Sequence, residues 1–181
     1  MELNTVGKKL KERGLKYKDI SVHYRSEDYV NLKKWMAPRG TRNTAIKQTK
    51  INEYTGEKLK RVNTQVDHMV SKADAHYTGG VNWSSTKKRA FGHWMENLVP
   101  TDNQTNMLKG AKSAPKWQPK VNKKTWADAY IATKKHWGLG VLKGESKVLK
   151  NITGKEHGLK IVPPIQRTKT CLTCHVPNKR K

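Results

Sequence analysis

The dominant feature of this sequence is an excess of positive charge, because 38 lysines and arginines stand against 14 aspartates and glutamates. Only 34% of the residues are hydrophobic, so little apolar material is left for a core. Six tryptophans and six tyrosines partly compensate, since an aromatic ring buries a large area while its polar edge stays wet. We expect one domain with short extensions, because single cores usually occupy roughly 100 to 200 residues.

The net charge of +24 favours a polyanionic partner, and nucleic acid is the first candidate. An anionic membrane surface is the alternative. However, no stretch approaches the ~18 apolar residues of a spanning helix, and the basic segments lack a broad apolar face. The N-terminus also lacks the apolar core of a secretory signal peptide. We therefore expect a cytoplasmic protein that binds nucleic acid and no membrane.

Charge and hydrophobic periodicity divide the chain into three parts. Residues 1–21 are rich in lysine and are predicted to be a basic N-terminal arm. Residues 22–140 carry apolar residues at helical spacing and are predicted to form the folded domain. Residues 141–181 are again lysine-rich and are predicted to be a basic C-terminal appendage.

The elements predicted within the middle part are helices and two extended segments. Helices are predicted near residues 25–36, 85–95 and 126–137, and Ala37–Gly40 is predicted to stop the first of them. The extended segments are Leu59–Met69 and Glu96–Pro100. Asp102 or Asn103 can then cap a short helix that ends at Gly110. These elements predict an α+β fold with a short antiparallel hairpin packed by surrounding helices.

Asp67 and His68 offer two groups that phosphodiester hydrolysis needs, an oxygen ligand for a metal ion and an imidazole base. Neighbouring side chains of a strand point to opposite faces, so both serve one site only where the backbone turns, which Met69–Ser71 permits. Asn106 on the later short helix can add an amide oxygen. Lys109 lies one helical turn further on, on nearly the same face. The pattern predicts a metal ligand and a phosphate-binding cation side by side.

These residues stand in an order that resembles the HNH, or His-Me finger, endonucleases. More narrowly, the chain is similar to the bacterial and phage branch that includes the C-terminal nuclease domain of GmrSD-type restriction enzymes. The resemblance covers roughly residues 22–140, and several elements in order are more specific than a lone Asp-His pair. The central segments are Gln65-Val-Asp67-His68-Met-Val-Ser71, Asn97-Leu98-Val99 and Asn106-x-x-Lys109-Gly110. The outer elements are Tyr24-x-x-x-x-Tyr29 with Trp35, Thr41-Arg42-Asn43, Tyr54-Thr55-Gly56, Trp83-Ser84 with Arg89-x-Phe91, Trp117-x-Pro119, and Trp126 to Trp137-Gly138-Leu139.

The resemblance implies a ββα-metal finger and a role for each matching residue. His68 would be the general base, and Asp67 and Asn106 would bind one Mg²⁺ or Mn²⁺ ion, which suits oxygen ligands and water. Asn97 would brace the loop between the strand and the helix of the finger. Few other carboxylates lie near the motif, which favours one catalytic metal ion over two.

Basic residues are expected to hold the nucleic acid. By the resemblance, Arg42 and Lys109 would face the scissile phosphate or its neighbours. Lys87, Lys88 and Arg89 lie on the predicted helix near residues 85–95, where they either contact phosphates or form a solvated face.

The segment Cys171-Leu-Thr-Cys174-His175 has the C-x-x-C-H spacing of c-type haem attachment. Such attachment needs an export route, which the N-terminus does not show. A zinc site is the second reading, with two thiolates, one imidazole and His157 or another group as fourth ligand. In the HNH proteins that carry structural zinc, two Cys pairs generally flank the finger. This sequence has only one Cys pair. A plain reduced tail is therefore expected, with zinc as the alternative.

These features together predict a divalent-metal-dependent endonuclease that hydrolyses DNA. It is expected to have low sequence specificity or to be a nicking or homing-type phage or bacterial enzyme, and to be a monomer. Two alternatives stay open. One is a nucleic-acid-binding protein that keeps a nuclease fold without turnover, and the other is an effector that degrades RNA.

Overall fold

The structure is a computed structural model that describes residues 39–163, apart from the side chains of Arg39, Arg42 and Arg61. Three sequence predictions lie outside these described residues. They are the basic arm over residues 1–21, the helix near residues 25–36 and the state of the C-x-x-C-H segment at residues 171–175.

Two short antiparallel strands bring distant parts of the chain together. β1 spans Thr64–His68 and β2 spans Leu98–Asp102, and residues 69–97 lie between them. Val66 stands opposite Pro100 in the register of the pair. Each strand has one neighbour in this sheet, so the missing N–H group of Pro100 is tolerated. The predicted antiparallel pair is therefore present, but a long excursion and not a tight turn connects its strands.

Six α-helices accompany the strands in the described part of the chain, which confirms the α+β class. Short 3₁₀ turns at Arg61–Asn63, Gly80–Asn82 and Met95–Asn97 lead into the neighbouring elements. None of the described helices is both long enough and apolar enough to cross a membrane. The helices are α1 (Arg39–Gln48), α2 (Lys72–Tyr77), α3 (Ser85–His93), α4 (Asn103–Lys109), α5 (Lys123–His136) and α6 (Lys143–Thr153).

The helices next to the strands begin and end at residues with capping chemistry. The Asp102 carboxylate accepts a hydrogen bond from the Thr105 N–H at 2.8 Å and so starts α4 directly after β2. Gly110 ends the same helix with a φ of 49°, a value that glycine adopts without steric cost. The Ser84 hydroxyl caps α3 by accepting from the Lys87 N–H at 3.2 Å. The sequence predicted Asp102 or Asn103 as the cap of α4 and Gly110 as its end.

The first described helix was not predicted from the sequence. α1 begins at Arg39, within the Ala37–Gly40 segment that was predicted to stop the helix near residues 25–36, and that earlier helix lies outside the described residues. Within α1, Ala45 is fully buried and packs with Leu98 of β2.

The hydrophobic core extends beyond residue 140, the predicted end of the domain. Val141 and Leu149 are fully buried and belong to the same cluster as Phe91 and Tyr130. α6 packs along α5, and its apolar residues face the core while its lysines face solvent. Lysine content alone suggested an appendage, but the apolar stripe of α6 makes residues 141–153 part of the packed unit.

Candidate active site

An open recess lies where β1 ends, beside α4 and the start of α2. It brings together three residues that the sequence predicted as a site, Asp67, His68 and Asn106. Asp67 and His68 are neighbours in a strand, yet both line the recess. This is possible because the recess surrounds the end of β1 and is not confined to one face of the sheet. The full lining is Val66, Asp67, His68, Ser71, Lys72, Ala73, Asn106, Gly110 and Ala111.

The imidazole of His68 is oriented by a backbone carbonyl group. Its Nε2 atom lies 3.0 Å from the carbonyl oxygen of Gly92, in the last turn of α3. A carbonyl oxygen can only accept a hydrogen bond, so Nε2 must carry the proton in this contact. In a neutral imidazole the lone pair is then on Nδ1. The ring also stacks on Phe91, with centroids 6.3 Å apart and planes inclined by 20°.

The carboxylate of Asp67 is buried and is held by two partners. The Tyr54 hydroxyl donates to Oδ2 at 2.8 Å, and Nζ of Lys109 lies 2.8 Å from the same oxygen. Burial raises the pKa of Tyr54 well above its ordinary value, and the charge of Asp67 adds to this rise. The phenol therefore stays protonated and donates at every physiological pH. Both of these contacts use Oδ2, so they fix the rotation of the carboxylate.

Lys109 does not face the recess, contrary to the role predicted for it. Its side chain is only 1% exposed, and its Nζ donates to the carbonyl oxygen of His68 at 2.8 Å. Three residues advance a helix by about 300°, so Lys109 lies about 60° away from Asn106 around α4. This rotation turns Lys109 into the core, where its ammonium group lies over the ring of Trp117, 5.9 Å from the ring centre. Lys109 thus holds the end of β1 from inside the protein.

Asn97 connects the end of β1 to the start of β2. It is fully buried, and its Oδ1 accepts from the Val70 N–H at 2.8 Å while its Nδ2 donates to the Val70 carbonyl oxygen at 3.1 Å. The backbone adds a third contact, from the Met69 N–H to the Asn97 carbonyl oxygen at 2.9 Å. An amide side chain can serve one residue's N–H and C=O groups at the same time, so this geometry suits the bracing role expected of Asn97.

Only some of the basic residues predicted to bind nucleic acid are exposed. Lys87 and Arg89 are exposed on α3, and the ammonium group of Lys87 lies 4.9 Å from the centre of the Trp83 ring. Lys88 is half-buried and donates to the Val81 carbonyl oxygen at 3.2 Å. Arg42 lies on α1, but its side chain is outside the described part of the chain.

His157 was the candidate fourth ligand of a zinc site. Its Nδ1 accepts from the Leu159 N–H at 3.0 Å, and its Nε2 lies 3.0 Å from the Ser146 hydroxyl. Both ring nitrogens therefore have protein partners. Across residues 39–163, no three His, Cys, Asp or Glu side chains are grouped in a way that suits a metal ion. Cys171, Cys174 and His175 lie outside that range.

A buried charged network next to the recess was not predicted from the sequence. Nζ of Lys134 lies 2.9 Å from Oδ2 of Asp74 and 3.1 Å from Oε2 of Glu145. The Tyr130 hydroxyl lies between the two carboxyl groups, 2.5 Å from Asp74 and 2.6 Å from Glu145. These residues tie α2, α5 and α6 together. Their separation in sequence gives no local signal of the contact.

One phenol proton cannot bridge two ionised carboxylates. Tyr130 donates to one of them, so the other hydrogen bond requires a proton on the second carboxyl group. The pKa of Glu145 is raised to about 7, mainly by burial and secondly by the nearby charge of Asp74. We therefore place the extra proton on Glu145, which leaves one buried negative charge, on Asp74, opposite the positive charge of Lys134.

Comparison with known families agrees with the extent of the packed unit. The family model for the C-terminal domain of GmrSD restriction endonucleases matches residues 8–152. The match covers both strands, the recess and nearly all of α6. Comparisons with curated proteins and with solved structures gave no significant match. The chain belongs to the family of GmrSD restriction endonuclease C-terminal domains, a family of nuclease domains.

Proposed function

We propose that this chain is a divalent-metal-dependent HNH-type endonuclease that hydrolyses DNA with low sequence specificity. The observation that carries the proposal is the contact between Nε2 of His68 and the Gly92 carbonyl oxygen, at 3.0 Å in a recess shared with Asp67 and Asn106. With the proton on Nε2, the lone pair of the neutral ring is on Nδ1, which we propose as the atom that accepts the proton. The order of β1, β2 and α4 supports a ββα-metal finger, with the base at the end of the first strand and Asn106 on the helix.

In the proposed reaction, a water molecule in the recess gives its proton to Nδ1 of His68 while its oxygen attacks the phosphorus atom. The bond from phosphorus to the 3′ oxygen breaks, and that oxygen takes up a proton from solvent. The products are a 5′-phosphate and a 3′-hydroxyl group. The carbonyl oxygen of Gly92 keeps the imidazole in the productive tautomer and stabilises the imidazolium that forms.

The donor chemistry of Asp67 and Asn106 fits one Mg²⁺ or Mn²⁺ ion. These ions are commonly held by one or two carboxylates, with water and substrate phosphate completing the shell. The contacts of Asp67 with Tyr54 and Lys109 both use Oδ2, so Oδ1 is the oxygen that Asp67 would offer. When bound, the ion would stabilise charge on the phosphate and on the leaving oxygen.

DNA is the proposed substrate, and the positive charge of the chain supports cleavage with weak sequence preference. The chain carries a net charge of +24, and contacts between lysine or arginine and phosphate do not depend on base sequence. Cleavage of matched DNA and RNA duplexes under one set of conditions distinguishes this proposal from an RNA-degrading effector, and faster RNA cleavage would contradict it.

His68→Ala is the variant that tests the proposal. We expect it to lower the rate of plasmid nicking in Mg²⁺ by about 10²- to 10⁴-fold, the usual contribution of a general base. His136→Ala is the matched control, because that histidine is exposed on α5 and does not line the recess. Chelation with EDTA should stop cleavage by the wild type. A His68→Ala protein that nicks as fast as the control would refute the assignment.

A further inference from the structure

The recess contains a lysine that no sequence motif assigns. Lys72 is the first residue of α2, is half-buried and lines the recess together with Asp67, His68 and Asn106. Among the described residues, it is the one lysine or arginine in this lining. Lys109, which was predicted to supply the positive charge, is instead buried against Asp67.

The backbone that carries Lys72 is held on both sides. Directly before it, the Ser71 hydroxyl accepts from the Asp74 N–H at 3.1 Å and caps α2. Two residues after it, the Asp74 carboxylate is bound by Lys134 at 2.9 Å and by the Tyr130 hydroxyl at 2.5 Å. Such anchoring favours catalysis by a fixed charge, because little reorganisation is needed when charge develops on the substrate.

We propose that Lys72 binds a non-bridging oxygen of the scissile phosphate and stabilises the negative charge that develops during attack. The inference rests on the proposed function, because it names a further catalytic residue of that site. Attack by water on a phosphodiester adds negative charge to the non-bridging oxygens. Lys72 lines the same recess as His68, and an ammonium group that binds the phosphate there interacts more strongly with that transition state than with the bound substrate, so it raises kcat more than it lowers Kd.

Lys72→Met tests the inference, with Lys72→Arg as the variant that keeps the charge. In the full-length chain with Mg²⁺ and saturating DNA, we expect Lys72→Met to reduce single-turnover cleavage by about 10²- to 10³-fold. Lys72→Arg should recover at least part of the rate. Affinity for DNA, measured by fluorescence anisotropy in EDTA, should change by less than threefold. Lys112→Met is the control, because Lys112 is exposed beyond α4 and does not line the recess.

Two results overturn the role of Lys72. The first is cleavage by Lys72→Met at the rate of the Lys112→Met control. The second is a weaker affinity for DNA and a smaller salt dependence of binding, with an unchanged cleavage rate at saturating DNA. That result is expected of a lysine that binds a phosphate away from the reacting one. If His68→Ala is inactive in the same assay, either result removes Lys72 alone. A wild-type chain that does not cut DNA overturns the proposed function as well.

Discussion

Replacing Lys109 with methionine is expected to lower the free energy of unfolding by about 3–5 kcal/mol, the usual cost of removing one partner of a buried ion pair. The side chains of Lys109 and Asp67 are 1% and 7% exposed, so the substitution leaves the buried carboxylate of Asp67 without its cation and without water. The carbonyl oxygen of His68 also loses its 2.8 Å donor. Urea unfolding of the full chain measures the change, and the exposed Lys112→Met variant should unfold like the wild type.

A second substitution separates this explanation from a phosphate-binding role. Asp67→Asn combined with Lys109→Met removes both charges, so we expect the double variant to recover much of the lost stability. Its nicking activity should stay low, because Asp67 is the proposed metal ligand. If Lys109 bound phosphate, the single variant would lose activity and keep its stability. A double variant no more stable than the single one would contradict the ion-pair explanation.

Glu145→Gln is expected to stabilise the protein at pH 8 and to leave it unchanged near pH 4. The raised pKa of about 7 means that folded Glu145 holds its proton between about pH 4.5 and 7, while the unfolded chain releases it. The folded state then binds more protons than the unfolded state, so stability falls as pH rises through this window and levels off above it. At about 1.4 kcal/mol per pH unit over this window, the upper limit of the loss is about 3–4 kcal/mol.

Glutamine reproduces the hydrogen bonds of the protonated acid. Its amide oxygen can accept from Lys134 and from the Leu142 N–H, as Oε2 does at 3.1 and 3.2 Å. Its amide N–H can donate to Tyr130, which then donates to Asp74. The free energy of unfolding, measured from pH 4 to 8, should therefore slope less than in the wild type. Glu96→Gln, at an exposed position, is the control, and equal slopes in both variants would exclude Glu145 as the source.

Local elements around the recess were predictable because each carries its own signal. Asp102 and Gly110 mark the two ends of α4 by capping chemistry, and Ser84 marks the start of α3. The ordered motif also predicted that His68 and Asn106 would meet, and the structure places them in one recess. The roles of these two residues in catalysis stay predictions.

The direction of a side chain was harder to predict than its position. Lys109 follows Asn106 by one turn, and that spacing is compatible with a shared face or with a lysine turned into the core. Burial of Asp67 decides the outcome, because a buried carboxylate needs a cation. Lys134 and Glu145 show the same limit, since their contact with Asp74 depends on the packing of three helices and leaves no trace in local sequence.

The contact between Asn97 and Val70, which are 27 positions apart in sequence, closes a loop at its base. Asp67 and Asn106 lie outside this loop, whereas the exposed lysine and arginine of α3 lie within it. Because the entropy of closing a loop rises only slowly with its length, the exposed turns between α2 and α3 can gain residues at little cost in stability. The exposed surface of α3, which is predicted to contact nucleic acid, can therefore change during evolution while the groups proposed to bind the metal keep their positions. Inside the loop, the Gly92 carbonyl group that orients His68, Lys72 in the recess and the buried carboxylate of Asp74 must be preserved.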